Sequence, residues 1–472
     1  MARSSASVIG SGPNGLAAAI VLAHAGLEVE VFEAEAEPGG ATRTLPLTLP
    51  GFLHDFGSAV HPLGAGSPFF SVLPLDEHGL EWIHGDAPLA HPLDDGTAVV
   101  LERNVDDAER ALGADGRAWR SLMQSGIDHW KEFVEDAFAP PPLLPRHPLR
   151  MACFGLEAIQ PAQMLAKNRF TTARVRALFA GLAGHSFLSF NQPLSSAVAL
   201  VLGVAAHAVG WPIPRGGARA IPDALISYLE LLGGKVHTSR RIDAQAFREL
   251  SGRLTLCDIA PKKLVAIAGD RLTRGYRLLL EEFKHGPGAF KLDYALSEPV
   301  PWRAPECRRA ITVHLGGTFE EIAASEHAMT HGRVSERPFV LAVQPTLYDS
   351  TRAPQGKHVL WVYCHVPNGS SVDMTEQIEA QIERFAPGFR DCVLARHTSS
   401  PVVLESMDAN LVGGDVSGGA MTVKQLLFRP TLRHYSTGTP NLYLCSASTP
   451  PGGGVHGMCG YHAAKLALRR MK

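Results

Sequence analysis

Residues 7–15 read SVIGSGPNG, an apolar run that passes directly into three glycines. We predict a short buried strand over residues 7–9, a tight turn, and a helix of small apolar residues over 16–25. In this turn Gly10 permits the bend, Gly12 lets the backbone approach a ligand, and Gly15 allows close packing of helix on strand. Pro13 and Asn14 lie within the same turn, where the free amides of a helix N-terminus favour an anion such as pyrophosphate.

A second strand is predicted over residues 28–32, and it ends on Glu33. The two strands and the intervening helix form the βαβ unit that binds a dinucleotide. An acidic residue at this point accepts hydrogen bonds from ribose hydroxyls and repels a 2'-phosphate. Glu33 therefore disfavours NADP, whereas NAD and FAD both stay open from this unit alone.

Length and charge exclude several classes of protein. A chain of 472 residues exceeds the size of one hydrophobic core, so two domains are expected. The net charge of −2 gives no reason to expect nucleic acid as a partner. Seven cysteines without a CxxC pair, and 21 histidines without an HExxH spacing, predict neither a disulfide framework nor a metal site.

The N-terminus passes straight into a strand pattern without a signal-peptide segment, so we expect a cytoplasmic protein. The longest markedly apolar run, residues 197–206, is too short to cross a bilayer. The proline-rich run 140–145 has no assignment from the sequence, which leaves peripheral contact with a membrane open. The oligomeric state is also open.

Residues 37–44, EPGGATRT, resemble the second glycine pair of FAD-binding proteins of the amine oxidase and phytoene desaturase superfamily. The resemblance implies FAD as the cofactor and assigns Gly40, Ala41, Thr42 and Arg43 to its site. The family's usual arginines on either side of the glycine pair correspond to Glu37 and Ala41 here, so Arg43 is the candidate substitute. Residues 54–58, HDFGS, resemble the same family's turn beneath the flavin, although an ordinary turn is the alternative for Asp55.

The C-terminal residues 441–455, NLYLCSASTPPGGGV, resemble the last strand-to-turn segment of this superfamily, and with residues 312–317 and 419–430 they extend the similarity over the whole chain. The resemblance implies that the glycine-rich turn meets the flavin, and it assigns to the cofactor site Ser446, Ala447, Gly454 and Val455. It also places Ile242, at the end of a strand predicted over 235–242, beside the adenine.

The resemblance implies an α/β fold. A Rossmann-type FAD-binding domain, discontinuous in sequence, is expected beside a mixed-sheet and helical substrate domain, as in the amine oxidase and p-hydroxybenzoate hydroxylase architecture. We expect the FAD-binding domain in residues 1–75, 213–288 and 425–472, and the substrate domain in a helical part, 76–212, and a sheet, 289–424. Alternating apolar residues predict antiparallel strands for that sheet over 290–296, 310–315, 339–344 and 358–365.

Residues 290–302 resemble the strand on which amine oxidases carry a lysine beside flavin N5, and Lys291 matches that lysine. A surface lysine at a strand end is the alternative. Two apolar helical segments, 170–187 and 194–209, can line an apolar cavity, which would favour an apolar substrate. A plain helical core is the alternative.

We therefore predict an FAD-dependent oxidoreductase that transfers hydride at a carbon–carbon bond of an apolar substrate, by desaturation or saturation. The family resemblance implies that this substrate is an isoprenoid or carotenoid-like molecule. A flavin amine oxidase, a non-redox flavin isomerase and a non-catalytic lipid-binding escort protein stay open.

Overall fold

The structure is a computed structural model that describes residues 5–141 and 145–471. The middle of the proline-rich run, residues 142–144, lies outside this part of the chain. Strands of the described residues are β1 (Ser5–Ile9), β2 (Glu28–Phe32), β3 (Thr44–Leu45), β4 (His54–Asp55), β5 (Trp82–Ile83), β6 (Ala87–Pro92), β7 (Ala98–Leu101), β8 (Ile213–Pro214), β9 (Lys235–His237), β10 (Leu254–Cys257), β11 (Gly288–Leu296), β12 (Ala310–Leu315), β13 (Val340–Val343), β14 (His358–Val366), β15 (Val393–Ser399) and β16 (Leu442–Leu444). The α-helices are α1 (Pro13–His24), α2 (Pro62–Ala65), α3 (Val105–Ala111), α4 (Gly116–Asp128), α5 (Trp130–Ala137), α6 (Pro148–Ala158), α7 (Ala162–Arg169), α8 (Ala173–Gly184), α9 (Ser195–Ala208), α10 (Ala220–Leu231), α11 (Ala244–Glu249), α12 (Pro261–Ala268), α13 (Arg274–Glu281), α14 (Phe319–Thr330), α15 (Thr375–Phe385), α16 (Pro401–Met407), α17 (Val423–Phe428) and α18 (Met458–Met471).

A five-stranded parallel sheet forms the first layer, in the order β16-β10-β1-β2-β9. β1 lies at its centre because Ala6, Val8 and Ile9 are apolar and buried, as the strands of a parallel sheet covered on both faces require. α1 packs against β1, β2 and α18. Gly460 of α18 permits a close approach to α1, since a Cβ there would lie 1.8 Å from the Asn14 carbonyl oxygen. The strands come from three distant parts of the chain, which confirms the predicted discontinuous Rossmann-type domain.

The strand predicted over residues 235–242 is wrong beyond His237. Ser239 has a φ of +53°, which turns the chain out of the extended conformation. The Ser239 and Arg240 amides donate to the carbonyl oxygens of Glu35 and Glu33, at 2.8 and 2.7 Å. Ile242 consequently lies in a loop ahead of α11 rather than on a strand.

A seven-stranded mixed sheet forms the second layer, in the order β15-β11-β14-β13-β12-β6-β7. Neighbouring strands are antiparallel except for β12 and β6, which are parallel. The four predicted strands are present as β11 to β14. β6 and β7 lie in the segment 76–212 that was expected to be helical; β6 reads APLAHP, and prolines at its second and last positions disguise it as a turn.

The two faces of this sheet have different chemistry. Phe290, Leu292 and Tyr294 of β11 point to one face, where they form an apolar core that includes Ile378 and Ile382 of α15. Lys291 and Asp293 alternate with them and point to the opposite face. The strand therefore buries two charged side chains on the face where Trp361 and His54 also lie.

Glycines allow the apolar helix α8 to approach the polar face of the sheet. A Cβ on Gly181 would lie 2.5 Å from Nδ1 of His314, and one on Gly184 would lie 2.4 Å from the Phe339 ring. Within residues 5–141 and 145–471, no helix has the length and apolar character needed to cross a membrane.

Candidate cofactor and substrate site

A cleft of about 410 Å³ lies at the carboxyl ends of the parallel strands, where doubly wound sheets bind their ligands. Nearly all of the residues predicted to bind the cofactor line it: Gly10, Gly12, Pro13, Asn14, Glu33, Gly40, Ala41, Thr42, Arg43, Ile242, Ser446, Ala447, Gly454 and Val455. Gly15 is behind the cleft wall, where a Cβ would lie 2.1 Å from the Gly10 carbonyl oxygen. Its predicted role in close packing is therefore met by the geometry.

The first glycine turn leaves an open cradle at the N-terminus of α1. Gly10 has a φ of +97°, a conformation that side-chain-bearing residues rarely adopt. Gly12 is the N-cap residue of α1, and a Cβ there would lie 2.8 Å from Oδ2 of Asp258. A diphosphate fits this cradle because backbone amides and the helix dipole face it and no Cβ fills it.

Glu33 follows β2 and ties the loops of the cleft together. Its Oε2 accepts hydrogen bonds from the Ser11 amide at 3.0 Å and the Ser11 hydroxyl at 2.6 Å. Its Oε1 accepts from the Glu35 amide at 3.0 Å. The carboxylate is buried at the cleft wall, and its contact with a ribose stays a prediction.

Two aspartates of the cleft were missed from the sequence. Asp258 follows β10, and its Oδ2 accepts a hydrogen bond from the Gly15 amide at 2.8 Å. Burial, against the opposing hydrogen bond from Gly15 and with smaller contributions from the carboxylates of Asp408 and Glu33, raises its pKa to about 7. Burial also raises the pKa of Asp408. The signal for Asp258 was its place directly after an apolar strand, the position that Glu33 has after β2.

Arg43 lines the cleft, but two of its N–H groups donate hydrogen bonds to backbone carbonyls of the protein. Its Nε donates to the Gly40 carbonyl at 2.8 Å, and a terminal nitrogen donates to the Met407 carbonyl at 2.6 Å. The guanidinium lies 4.9 Å from the centre of the Phe56 ring. Arg43 therefore fixes the second glycine turn against the C-terminal end of α16, and its contact with a cofactor stays a prediction.

A second cavity of about 280 Å³ lies between the mixed sheet and the helices. Its lining is mainly apolar, with Lys291, His185, Thr312 and Ser58 as the polar exceptions. Five residues line both this cavity and the cofactor cleft: Ala41, Leu411, Val416, Gly454 and Val455. The two spaces therefore adjoin at the C-terminal glycine turn.

Val455 lies at this junction in a strained conformation. Its φ is +55°, which is unfavourable for a β-branched residue. Gly454 precedes it with a φ of +138°. Strain of this kind persists where the surrounding structure imposes it, and it concentrates at ligand sites.

Lys291 is not a surface residue. It lies in the middle of β11 with 2% exposure and lines the apolar cavity. Its ammonium group contacts the Asp293 carboxylate and lies 5.7 Å from the centre of the Trp361 ring. Burial lowers the pKa of Lys291 and raises that of Asp293 to about 6, although the mutual attraction of the pair opposes both shifts.

Asp55 is more than an ordinary turn former. Its Oδ1 accepts hydrogen bonds from the Thr44 hydroxyl and the Ala218 amide, both at 2.8 Å. Its Oδ2 lies 2.9 Å from the buried guanidinium of Arg352. Gly57, two residues later, lets the chain pass the second glycine turn, since a Cβ there would lie 2.3 Å from the Ala41 carbonyl oxygen. Asp55 thus joins β3, the segment before α10 and Arg352.

Comparisons with known proteins agree with this fold. Residues 8–73 match the family model of the NAD(P)-binding Rossmann-like domain. The pyridine nucleotide-disulfide oxidoreductase domain-containing protein 2 of Mus musculus is 28% identical over 98% of this chain and 93% of its own length. The phytoene dehydrogenase of Streptomyces griseus is 26% identical over 95% of this chain and 91% of its own length.

The solved structure of wild-type putrescine oxidase bound to putrescine is also similar. It has a TM-score of 0.59 at 16% identity and covers 99% of both chains. This likeness confirms the amine oxidase-type architecture that the sequence predicted.

Proposed function

We propose that the protein is an FAD-dependent oxidoreductase that transfers hydride at a carbon–carbon bond of an apolar substrate. The observation that carries the proposal is the junction of a dinucleotide cleft with an apolar cavity at Gly454 and Val455. A flavin held across this junction meets a substrate in the cavity. The similarity to a phytoene dehydrogenase over most of the chain supports the same class of reaction.

We assign the parts of FAD to the residues that line the cleft. The cradle at Gly12 would hold the diphosphate, Glu33 the ribose and Ile242 the adenine, and the turn at Gly454 would border the flavin. When bound, FAD supplies a hydride acceptor at N5. The chain's own part is to orient the substrate, to exclude water with its apolar wall, and to hold the Lys291 ammonium beside the reacting region.

The apolar lining supports an isoprenoid or carotenoid-like substrate. Hydrophobic side chains from α9, the sheet and the segment after β4 surround the space, and few polar groups interrupt them. A hydrocarbon loses little on entering such a cavity and gains from leaving water.

Spectroscopy and product analysis test the proposal. The purified protein, supplied with FAD, is expected to show the absorbance bands of a bound oxidised flavin at one flavin per chain. Anaerobic addition of an apolar isoprenoid such as phytoene should bleach these bands and give a product with one more double bond. Protein that binds no flavin contradicts the proposal, and it would favour the lipid-binding escort.

A flavin amine oxidase is the second candidate, because Lys291 is buried at the cavity wall as the amine oxidase resemblance requires. Anaerobic addition of a primary amine series separates the two. Bleaching by amines and not by isoprenoids would replace the first proposal. Movement of a double bond that requires prereduced flavin and leaves the flavin reduced would indicate the isomerase.

A further inference from the structure

A pair of histidines lies at the wall of the apolar cavity away from Lys291. His185 follows α8 and lines the cavity, and its Nε2 lies 3.1 Å from Nε2 of His314 on β12. Trp211 packs against both rings, with centroid separations of 5.7 and 5.8 Å. These residues were not predicted from the sequence.

The hydrogen bonds of this pair are incomplete. One Nε2 donates to the other, so each ring keeps one nitrogen, Nδ1, that needs a further partner. The hydroxyl of Thr312 is buried and has no partner among the described residues. Nδ1 of His314 has none either, but it faces Gly181 of α8 rather than the cavity, since a Cβ on Gly181 would lie 2.5 Å from it. Thr312 lies two residues before His314 on the same face of β12 and lines the cavity. Buried polar groups of native proteins are almost always paired, so this cluster calls for a ligand.

The register of the sheet fixes how far this cluster lies from Lys291. Lys291 pairs with Tyr363, Tyr363 with Leu341, and Leu341 with His314. The three steps between neighbouring strands place Lys291 and His314 about 14 Å apart. Groups at this separation cannot act on two bonded carbon atoms, so the histidines are too far from the Lys291 end to serve as the base of the reaction.

The charge state of the pair limits what it binds. Burial lowers the pKa of His185 to about 3, and it lowers the pKa of His314 well below the ordinary value. The carboxylate of Glu326, on α14, does not pair with these two rings, because it is hydrogen-bonded to Nδ1 of His365 at 2.8 Å. The two rings are therefore neutral and offer hydrogen bonds without a counter-charge, which suits an uncharged oxygen group and not a carboxylate.

We propose that His185, which His314 orients from behind, and Thr312 form a subsite that hydrogen-bonds a hydroxyl or carbonyl group at the remote end of an otherwise apolar substrate. The inference rests on the proposed function, because the same cavity must hold the substrate. It adds that the substrate has one polar end, anchored away from the flavin, and that the carbon–carbon bond to be oxidised or reduced lies toward Lys291.

Binding measurements on the FAD-loaded protein test this subsite without turnover. The probes are isoprenoid alcohols of two, three and four isoprene units and the hydrocarbons that carry hydrogen in place of the hydroxyl. Quenching of tryptophan fluorescence reports occupancy, because Trp211 and Trp361 line the cavity. For at least one chain length we expect the alcohol to bind about tenfold more tightly than its hydrocarbon, which is ~1.4 kcal/mol.

Two variants and a matched control locate the effect. His185→Phe keeps a ring but removes the hydrogen bonds, and Thr312→Val keeps the shape but removes the hydroxyl; each should bring the alcohol-to-hydrocarbon ratio toward one while hydrocarbon binding changes little. Thr312→Val also covers the case in which His185→Phe does not fold. His91→Gln is the control, since His91 is a buried histidine on the neighbouring β6 that does not line the cavity.

The outcomes separate the two proposals. Equal binding of alcohol and hydrocarbon by the wild-type protein, binding of neither, or an unchanged ratio in both variants overturns the subsite. None of these results affects the flavin content of the same sample. Absence of flavin overturns the oxidoreductase, whatever the alcohol preference.

Discussion

Two charged residues, Lys291 and Asp293, are buried on a strand whose other residues are mainly apolar. Lys291 and Asp293 alternate with Phe290 and Leu292 along β11, so the strand has one apolar face and one charged face, both buried. Burying charged groups is costly unless they are paired. Asp293 contacts both the Lys291 ammonium and, at 3.8 Å, the ring of His54. The chain accepts this cost on a strand that lines the apolar cavity.

Replacing Lys291 tests whether its charge serves the flavin. In Lys291→Met we expect FAD to stay bound, because Lys291 does not line the cofactor cleft. Reoxidation of the reduced flavin by oxygen should slow by about tenfold, since an ammonium near the flavin stabilises developing negative charge. Stopped-flow absorbance measures the rate. Lys357→Met is the control, because Lys357 is an exposed lysine of the same sheet region.

The pH profile adds a second readout for Lys291. Burial lowers its pKa, so the ammonium is present below that pKa and is lost as the pH rises through it. The wild-type reoxidation rate should therefore fall with rising pH, and the rate of Lys291→Met should follow a flatter profile. Equal rates in the two proteins at every pH would remove this lysine from the reaction.

Gly12 tests the cofactor cradle at the level of one Cβ. Gly12→Val should abolish FAD retention, because the added side chain enters the cradle and its Cβ would lie 2.8 Å from the Asp258 carboxylate. Flavin absorbance after gel filtration measures retention. Gly275→Val is the matched control: Gly275 is an exposed helical glycine, and a Cβ there meets no atom within 4 Å. Stoichiometric flavin in Gly12→Val would show that the dinucleotide lies elsewhere.

At the scale of elements, the ends of the parallel strands determine the cleft. Glu33 after β2 and Asp258 after β10 place two carboxylates on either side of the N-terminus of α1. The dipole of α1 favours negative charge there, yet burial raises the pKa of Asp258 to about 7. The desolvation of the carboxylate thus outweighs the Gly15 hydrogen bond.

From the raised pKa of Asp258 we predict that the stability of the folded protein depends on pH. Its folded-state pKa of about 7 lies above the value near 4 of an unfolded aspartate, so the folded protein binds this proton more tightly. Stability of the FAD-free protein should therefore fall as the pH rises from about 4 to about 7, and stay low above that. Asp258→Asn should lose this part of the slope, as measured by thermal unfolding across the pH range. Asp76→Asn, at an exposed aspartate, should follow the wild-type curve.

The affinity for FAD should also depend on the protonation state of Asp258. A protonated Asp258 does not repel the diphosphate, so wild-type affinity should decrease as the pH rises through about 7. The affinity of Asp258→Asn should change less over this range. A wild-type affinity that is constant from pH 6 to pH 8 would contradict a diphosphate beside Asp258.

At the scale of the whole molecule, the sequence predicted the elements that local patterns specify. The turn at Gly10 to Gly15, the strands β11 to β14 and the discontinuous parallel sheet follow from glycine spacing, alternation and the family resemblance. β6 and β15 were missed because long-range pairing, to β12 and β11, makes them strands. The same limit applies to the site: no local pattern brings His185 of a loop to His314 of a strand, since only the packing of α8 on the sheet does so.

The C-terminal elements β16 and α18 pack on elements from earlier parts of the chain, which allows a prediction about truncation. β16 completes the parallel sheet beside β10, and α18 packs on α1, so residues from one end of the chain complete the core that begins at the other. A chain that stops after Pro440 lacks both elements and the turn at Gly454 and Val455. We expect it to bind no FAD and to unfold without a cooperative transition, because the apolar residues of β10 and α1 lose their cover. Circular dichroism during heating and flavin absorbance measure the two effects.

A chain shortened only after Arg470 is the control and should keep both properties. Cooperative unfolding of the longer truncation would instead mean that the mixed sheet and its helices fold as an independent unit, and in that case FAD binding alone should be lost.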